Sequence, residues 1–128
     1  MCLTIKKGTG KRRAKKDIKV SKILVKAGDE FFTLYQYFKV SIDGVYYVKM
    51  DRQRAERIQY CDNVKYFSPS VHAGLHSYLS RATAELELEW VGEEQCIIVE
   101  CTIPKGSYYY LGEDDDIVSD TLCYPNKF

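Results

Sequence analysis

The sequence predicts an α+β fold, with a mixed, mostly antiparallel sheet and one main helix at about residues 79–91. Tyrosine is the first reason, because eleven Tyr and five Phe against one Trp favour strands, where flat rings pack well on a pleated surface. The order of the apolar patterns is the second reason, since strand-like segments precede and follow one helix-like segment. A chain of 128 residues fits one domain, so we expect residues 1–128 to share one core, with a partly flexible basic N-terminal segment, 1–16.

Three strands are predicted in the first half of the chain. Residues 17–25 are rich in β-branched side chains that partly alternate with lysines, which predicts a strand containing Lys22. Asp43-Gly44 predicts a hairpin turn between strands 38–42 and 45–48, because both central positions of the favoured turn need a positive φ.

The middle of the chain is predicted to be irregular. Residues 51–60 mix charges without an apolar face, which indicates a loop or a short exposed helical turn. The apolar residues Val64, Tyr66 and Phe67 predict a short extended piece that ends at residues 68–70, where Pro69 disfavours helix at the residue before it. Residues 74–78, Gly-Leu-His-Ser-Tyr, predict a polar turn.

The helix prediction depends on spacing and on a cap. Ala82, Leu86 and Trp90 fall four residues apart, which places them on one helical face. Ser80, or Ser77 before it, is a suitable N-cap residue. The same segment also alternates between apolar residues and glutamates, so a strand is the alternative.

The last part of the chain predicts strands separated by turns. The near-continuous apolar character of residues 96–103 predicts a central strand buried on both faces. Pro104 ends that strand, and Gly106 is expected to take a positive φ in the turn that follows. Residues 108–111 and 117–123 are predicted as the final strands.

The formal net charge of +1 hides a strong asymmetry along the chain. The two ends of the chain are therefore suited to attract one another or to bind different partners. The basic residues of the first fifth are Lys6, Lys7, Lys11, Arg12, Arg13, Lys15, Lys16, Lys19, Lys22 and Lys26. The acidic residues of the second half include Glu85, Glu87, Glu89, Glu93, Glu94, Glu100, Glu113, Asp114, Asp115 and Asp116.

Targeting and cysteine patterns predict a cytoplasmic protein. The sequence has no apolar run near the roughly 18 residues that a membrane span needs, and its basic start is not followed by the apolar segment of a signal peptide. Five cysteines, an odd number without a CxxC pair, argue against a disulfide framework and a zinc ribbon. We expect most of the cysteines to be reduced and several to be buried, and we expect no membrane partner.

The basic cluster suggests a nucleic-acid interface made of Lys11, Arg12, Arg13, Lys15 and Lys16. Closely spaced cations bind a nucleic acid by displacing its condensed counterions. No aromatic residue is interleaved with these cations to stack on bases, so a solvated edge or loop is the favoured interpretation.

The histidines and acidic residues give weak signals for catalysis or metal binding. His76 and Ser77 are adjacent and point oppositely in an extended segment, so His76 cannot activate Ser77, and a structural histidine is expected. His72 and His76 could share a metal only in a helix, which Gly74 disfavours. The acidic run 113–116 lacks the ligand spacing of calcium loops, so we expect no metal site.

Three residues are candidates for contact with a ligand, namely Tyr78, Lys105 and Tyr109. Lys105 lies in a predicted tight turn, which would cradle a phosphate only if its amides converged. In the tyrosine run, Tyr109 should point oppositely to Tyr108 and Tyr110, so one face can remain exposed to a ligand.

Most of the chain resembles an uncharacterised family of small bacterial and phage proteins. The shared features are a lysine-rich start, a strand like Asp17-Ile-Lys-Val-Ser-Lys-Ile-Leu, a Gly-x-His-Ser-Tyr turn, a helix, and a strand ending in Ile-Pro-Lys-Gly-Ser-x-Tyr-Tyr. This resemblance implies no particular activity.

The order of elements also resembles, more distantly, the ADP-ribosyltransferase fold. By that resemblance Ser21-Lys22 occupies the first cofactor-facing strand, His76-Ser77-Tyr78 the second, and Ser119–Leu122 the catalytic strand. Lys22, His76, Ser77 and Asp120 would then be the catalytic residues and NAD the cofactor. Lysine replaces Arg or His, one serine of a triplet matches, and Asp120 replaces a longer glutamate, so the site looks degenerate.

We therefore expect a small cytoplasmic binding or interaction protein of bacterial or phage origin, without a cofactor, acting on a protein or nucleotide ligand. A divergent ADP-ribosyltransferase-like enzyme acting on a nicotinamide dinucleotide is the alternative. Nucleic-acid binding through the basic segment is the second alternative.

Overall fold

The computed structural model describes residues 3–34, 38–59, 64–91 and 95–128. These residues form thirteen strands and one helix. In chain order they are β1 (Leu3–Thr4), β2 (Arg12–Arg13), β3 (Ile18–Ala27), β4 (Glu30–Thr33), β5 (Lys39–Val40), β6 (Val45–Tyr47), β7 (Arg52–Gln59), β8 (Val64–Val71), β9 (Leu75–Tyr78), α1 (Arg81–Val91), β10 (Cys96–Ile103), β11 (Tyr108–Leu111), β12 (Asp116–Ser119) and β13 (Thr121–Cys123).

The larger of two sheets has ten strands and sets the positions of all the candidate residues. Eight of its strands lie in the order β2-β11-β12-β9-β3-β10-β13-β6, and the pair β4-β5 joins it at β3. The longest pairing within this sheet, between β3 and β10, runs from Ile18 opposite Ile103 to Val25 opposite Cys96. Every described pairing is antiparallel, which confirms the α+β prediction with mostly antiparallel sheets and one helix.

The smaller sheet, β1-β8-β7, corrects two predictions. Residues 51–60 were expected to form a loop or helical turn, but β7 pairs with β8 from Arg52 opposite Val71 to Gln59 opposite Val64. Backbone pairing with a neighbouring strand thus outweighs the lack of an apolar pattern. Pro69 does not end the extended piece either, because its carbonyl, which proline retains, accepts the Ile5 N–H at 3.0 Å.

The predicted hairpin at Asp43-Gly44 is wrong, and the turn that forms lies one residue earlier, with Ile42 and Asp43 at its centre and without a positive φ at Gly44. Asp43 has a φ of 59°, and the Gly44 N–H donates to the Ser41 carbonyl at 3.0 Å. The flanking strands pair elsewhere, since β5 pairs with β4 and β6 pairs with β13. A local turn signal therefore did not reveal that each flanking strand has a more distant partner.

The helix is where it was predicted, but its orientation was not foreseen. Ser80 is the N-cap, since its Oγ accepts the Thr83 N–H at 3.3 Å. Ala84 is fully buried, whereas Leu86 and Trp90 on the predicted apolar face are 61% and 89% exposed. The helix contacts β3, β9 and β10 and leaves that stripe facing outward.

Two buried apolar clusters lie on opposite faces of the large sheet. In β12, Ile117 belongs to the first cluster and Val118 to the second, as expected for neighbouring residues in a strand. The first comprises Val20, Leu24, Val40, Leu75, Val99, Cys101, Ile103, Ile117, Leu122 and Tyr124. The second comprises Leu3, Ile5, Val71, Tyr110 and Val118.

Strand β10 is central in the sheet but is not buried on both faces, contrary to the prediction. Val99, Cys101 and Ile103 are buried, whereas Glu100 is exposed and Thr102 is half-buried. The apolar run concealed an ordinary alternation, because the half-buried Cys96 and Ile98 lie on the same face of the strand as the exposed Glu100. The expected final strand 117–123 is likewise divided, into β12 and β13.

Candidate functional site

Strand β2 forms an edge of the large sheet and carries much of the positive charge. Arg12 lies opposite Tyr109, and Arg13 lies opposite Tyr108, both on β11. We call the exposed cations of this edge, together with Tyr108, the basic edge. Its cations are Lys11, Arg12, Arg13, Lys15 and Lys16.

An aromatic ring lies within the basic edge. The Lys11 Nζ is 4.5 Å from the centroid of the Tyr108 ring, and the Arg13 guanidinium carbon is 5.9 Å from it. The Tyr108 side chain is 40% exposed. The sequence concealed this arrangement because Tyr108 lies in the last quarter of the chain, whereas the cations lie near its start. Only the pairing of β2 with β11 brings them together.

The turn at Gly106 extends the basic edge to Lys105. The Ala14 N–H donates to the Ser107 carbonyl at 2.8 Å, and the Gly106 N–H donates to the Ala14 carbonyl at 2.8 Å. Gly106 has the predicted positive φ, 93°, which few residues other than glycine adopt. The Lys105 N–H donates to a carboxylate oxygen of Asp17 at 2.9 Å. The amide is therefore used within the fold, and the exposed Lys105 side chain adds to the positive surface.

None of the five cations of the basic edge forms a salt bridge with any residue that the structure describes. By contrast, the exposed Lys39 pairs with Glu30 at 3.0 Å, and Arg81 pairs with Glu85 at 3.2 Å. The positive charge of the basic edge is thus available to an anionic partner.

Two of the predicted catalytic residues meet inside the protein. Lys22 lies on the same face of β3 as Val20 and Leu24 of the first apolar cluster and is only 8% exposed. Its ammonium donates a hydrogen bond to the backbone carbonyl of His76. The described pairing between β3 and β9 consists of Ser21 opposite Tyr78. Next to that pair, the Lys22 ammonium serves as the donor for the His76 carbonyl of β9.

The buried environment suits structural roles for His76 and Lys22. The His76 Nε2 lies 3.0 Å from the His72 carbonyl. Burial lowers the pKa of His76 to about 4 and the pKa of Lys22 to about 8. At neutral pH the imidazole is therefore neutral and the lysine remains largely charged. Burial also raises the pKa of the Cys101 thiol to about 12, which keeps it protonated.

The other two predicted catalytic residues are placed differently. Ser77 belongs to β9, which is a strand and not the predicted polar turn, so its side chain points away from that of His76. The Ser77 hydroxyl is buried and has no hydrogen-bond partner among the described residues. Asp120 lies between β12 and β13, where its Oδ1 accepts the Tyr108 N–H at 3.1 Å and the Thr121 hydroxyl at 3.2 Å.

The three predicted ligand contacts do not form one site. Tyr78 lines a groove beside the helix, Lys105 lies at the basic edge, and Tyr109 packs against the first apolar cluster. Tyr109 does point oppositely to Tyr110, which belongs to the second cluster, as predicted. The described residues contain no group of three or more His, Cys, Asp or Glu side chains placed to hold a metal.

The groove beside the helix has a volume of about 560 Å³ and lies between α1 and the ends of β9 and β12. We call it the acidic groove. Sequence patterning detected the apolar helical stripe but not that it faces outward to form one wall. The lining includes Tyr78, Leu86, Glu87, Trp90, Asp114 and Asp116.

Hydrogen bonds hold the two walls of the acidic groove together. Asp115 Oδ2 accepts the hydroxyl protons of Ser80 and Thr83, each at 2.6 Å, and these bonds hold the pKa of Asp115 below its usual value. Asp116 is 7% exposed, and burial raises its pKa. A Cβ on Gly112 would lie 1.9 Å from Asp116 Oδ1, so this turn requires glycine for close approach.

No helix among the described residues has the length and apolar character that a membrane span needs. In comparisons with known proteins, no family model matches the sequence, and no curated protein or solved structure matches it. The resemblances to small bacterial and phage proteins and to the ADP-ribosyltransferase fold thus stay predictions.

Proposed function

We propose that the protein is a binding protein that holds single-stranded nucleic acid along its basic edge. The observation that carries the proposal is that the charged groups of Lys11 and Arg13 both lie over the half-exposed Tyr108 ring. Cations bind phosphates, and an aromatic ring stacks on a base of any sequence. Together these are the two groups that binding to a single strand needs.

Charge distribution supports an anionic ligand. The cations of the basic edge form no salt bridge among the described residues, so binding a phosphate chain need not break existing ion pairs. Each neutralised phosphate releases condensed counterions, which supplies sequence-independent affinity. Lys105, fixed beside Ala14 through Gly106, extends the same surface.

The shape of the surface favours a single strand over a duplex. Reading the major groove of a duplex requires a helix or a two-stranded ribbon that can enter it. The one described helix lies beside the acidic groove, and β2 is only two residues long. A sheet edge with an exposed ring among cations is suited to unstacked bases.

The test is a titration of a fluorescein-labelled single-stranded oligonucleotide, followed by fluorescence anisotropy at several salt concentrations. We expect log K to fall with log salt with a slope of roughly −3, because a single strand contributes about −0.7 for each neutralised phosphate. The triple variant Lys11→Gln/Arg12→Gln/Arg13→Gln should lower both the affinity and the slope.

The matched control is Lys26→Gln, an exposed lysine at the far end of β3. It should leave affinity and slope unchanged. If wild type fails to bind at low salt, or if the control weakens binding as much as the triple variant does, the basic edge is not a nucleic-acid interface. A duplex bound more tightly than the single strand would contradict the stacking role of Tyr108.

A further inference from the structure

The acidic groove combines exposed apolar side chains with acidic ones. Trp90, the single tryptophan of the sequence, is 89% exposed, and Leu86 beside it is 61% exposed. Carboxylates of Glu87, Asp114 and Asp116 line the same groove. An exposed apolar stripe next to acidic side chains is complementary to a segment that is both cationic and apolar.

Spacing on the helix makes the stripe continuous. Thr83, Leu86, Glu87 and Trp90 are separated by three or four residues, so they share one side of α1. Leu86 and Trp90 therefore form an apolar floor along the helix, and Glu87 follows its margin. The helix does not use this side to cover the sheet, because Ala84 is the fully buried residue.

The opposite wall is held in place before any partner binds. The Leu79 N–H donates to the Asp115 carbonyl at 2.8 Å, and the Ser80 and Thr83 hydroxyls hold the Asp115 side chain. The Asp114 N–H donates to Asp116 Oδ1 at 3.2 Å. A preformed site binds with a smaller loss of conformational entropy than one that must be ordered on binding.

We propose that the acidic groove binds a cationic, apolar peptide segment of a partner protein. An arginine or lysine of the segment lies over the indole face of Trp90 and pairs with Asp114, while an apolar side chain contacts Leu86. Indole is the aromatic ring best suited to attract a cation. A cationic occupant suits the groove because the lining includes the exposed Asp114 carboxylate and no described basic side chain.

The proposal goes beyond nucleic-acid binding at the basic edge, and the two sites can be tested separately. The probe is a short peptide in which arginines alternate with leucines, with a peptide of alternating glutamates and leucines as its control. Because Trp90 is the single tryptophan, its emission reports occupancy directly. The arginine peptide should shift the emission to shorter wavelength, and the glutamate peptide should not.

Variants then assign the binding. With a fluorescein-labelled arginine peptide, Trp90→Ala should weaken affinity by about tenfold or more, as truncation of a buried interface tryptophan does. Asp114→Asn should weaken it less and lower its salt dependence. Glu89→Gln, the same charge change at an exposed helical position outside the groove, is the matched control and should bind like wild type.

Because Trp90 is exposed, its replacement removes little core packing, and circular dichroism can verify that Trp90→Ala remains folded. Equal binding of the arginine peptide by wild type and folded Trp90→Ala would overturn the proposal. Binding of both peptides alike would overturn it too, since the groove would then lack charge selectivity. Self-association that Trp90→Ala abolishes would also overturn it, because the occupant would be a second copy of the chain.

Discussion

The basic edge and the acidic groove each place an exposed aromatic ring among charges of one sign, but they are built differently. At the basic edge, Lys11 and Arg13 lie over Tyr108 on a two-residue strand. At the acidic groove, Trp90 extends from an eleven-residue helix that Asp115 ties to the opposite wall. The hydrogen bonds of Asp115 thus fix the shape of the groove before an occupant binds.

Reversing charge at the basic edge should produce the largest effect and separate the two surfaces. The variant Arg12→Glu/Arg13→Glu should weaken oligonucleotide binding by at least about 100-fold at low salt, because two attractive charges become repulsive. Binding of the arginine peptide should change little. Anisotropy titrations with both probes measure this, and a parallel loss of both affinities would mean that the surfaces are one site.

Replacing Lys22 tests how the stability of the large sheet, which supports both surfaces, depends on pH. Because its pKa is lowered to about 8, the folded protein loses this proton before the unfolded chain does, so the free energy of unfolding rises with pH from about 8 to about 10.5. Lys22→Met lacks this dependence. Its stability relative to wild type should therefore fall by roughly 3 kcal/mol between pH 7 and pH 10.5.

Urea unfolding of both proteins at the two pH values measures this difference. Lys26→Met, on the exposed end of the same strand, is the control and should show no such change. A stability difference that does not vary with pH would mean that the Lys22 ammonium is solvated.

Replacing the ring of the basic edge should have an intermediate effect. Tyr108→Ala should cost about 1–3 kcal/mol of oligonucleotide binding free energy through lost stacking, while the salt slope is retained. Tyr108→Phe should bind nearly as wild type does. The salt-dependent anisotropy titration distinguishes these outcomes, and a large change in slope for Tyr108→Ala would indicate that the ring acts by positioning the cations.

The smallest effect is expected at Asp115, whose carboxylate joins the two walls of the acidic groove. Asp115→Asn keeps one acceptor oxygen but loses the charge that the Ser80 and Thr83 hydroxyls stabilise, so we expect a loss of about 1 kcal/mol or less at pH 7. Since the native pKa of Asp115 is lowered, the carboxylate stabilises the fold above its usual pKa, and this contribution disappears as pH falls through the native value.

Unfolding experiments at pH 7 and in acid compare the stability of wild type and Asp115→Asn. The affinity of Asp115→Asn for the arginine peptide should be several-fold lower than that of wild type. If Asp115→Asn is destabilised equally at both pH values, hydrogen bonding to the charged carboxylate is not the cause. Oligonucleotide binding is the internal control, since the described hydrogen bonds of Asp115 are made with Leu79, Ser80 and Thr83 and not with the basic edge.

The sequence alone determined the features that depend on neighbouring residues. It predicted the strand at Lys22, the helix capped by Ser80, the positive φ of Gly106 and the separation of basic from acidic residues, because turn chemistry, capping and side-chain periodicity are local. It also predicted the α+β class. It predicted as well that Tyr109 and Tyr110 point to opposite faces, because neighbouring side chains alternate along a strand.

Tertiary structure decided which partner each element meets and which side it buries. Pairing of β2 with β11 brought Tyr108 to cations far away in the chain, and pairing of β6 with β13 replaced the expected hairpin. The outward orientation of Leu86 and Trp90 depends on what α1 packs against, which helical spacing does not reveal. Long-range pairing is chosen by the burial and backbone hydrogen bonding of the whole chain, so no local pattern could specify either surface.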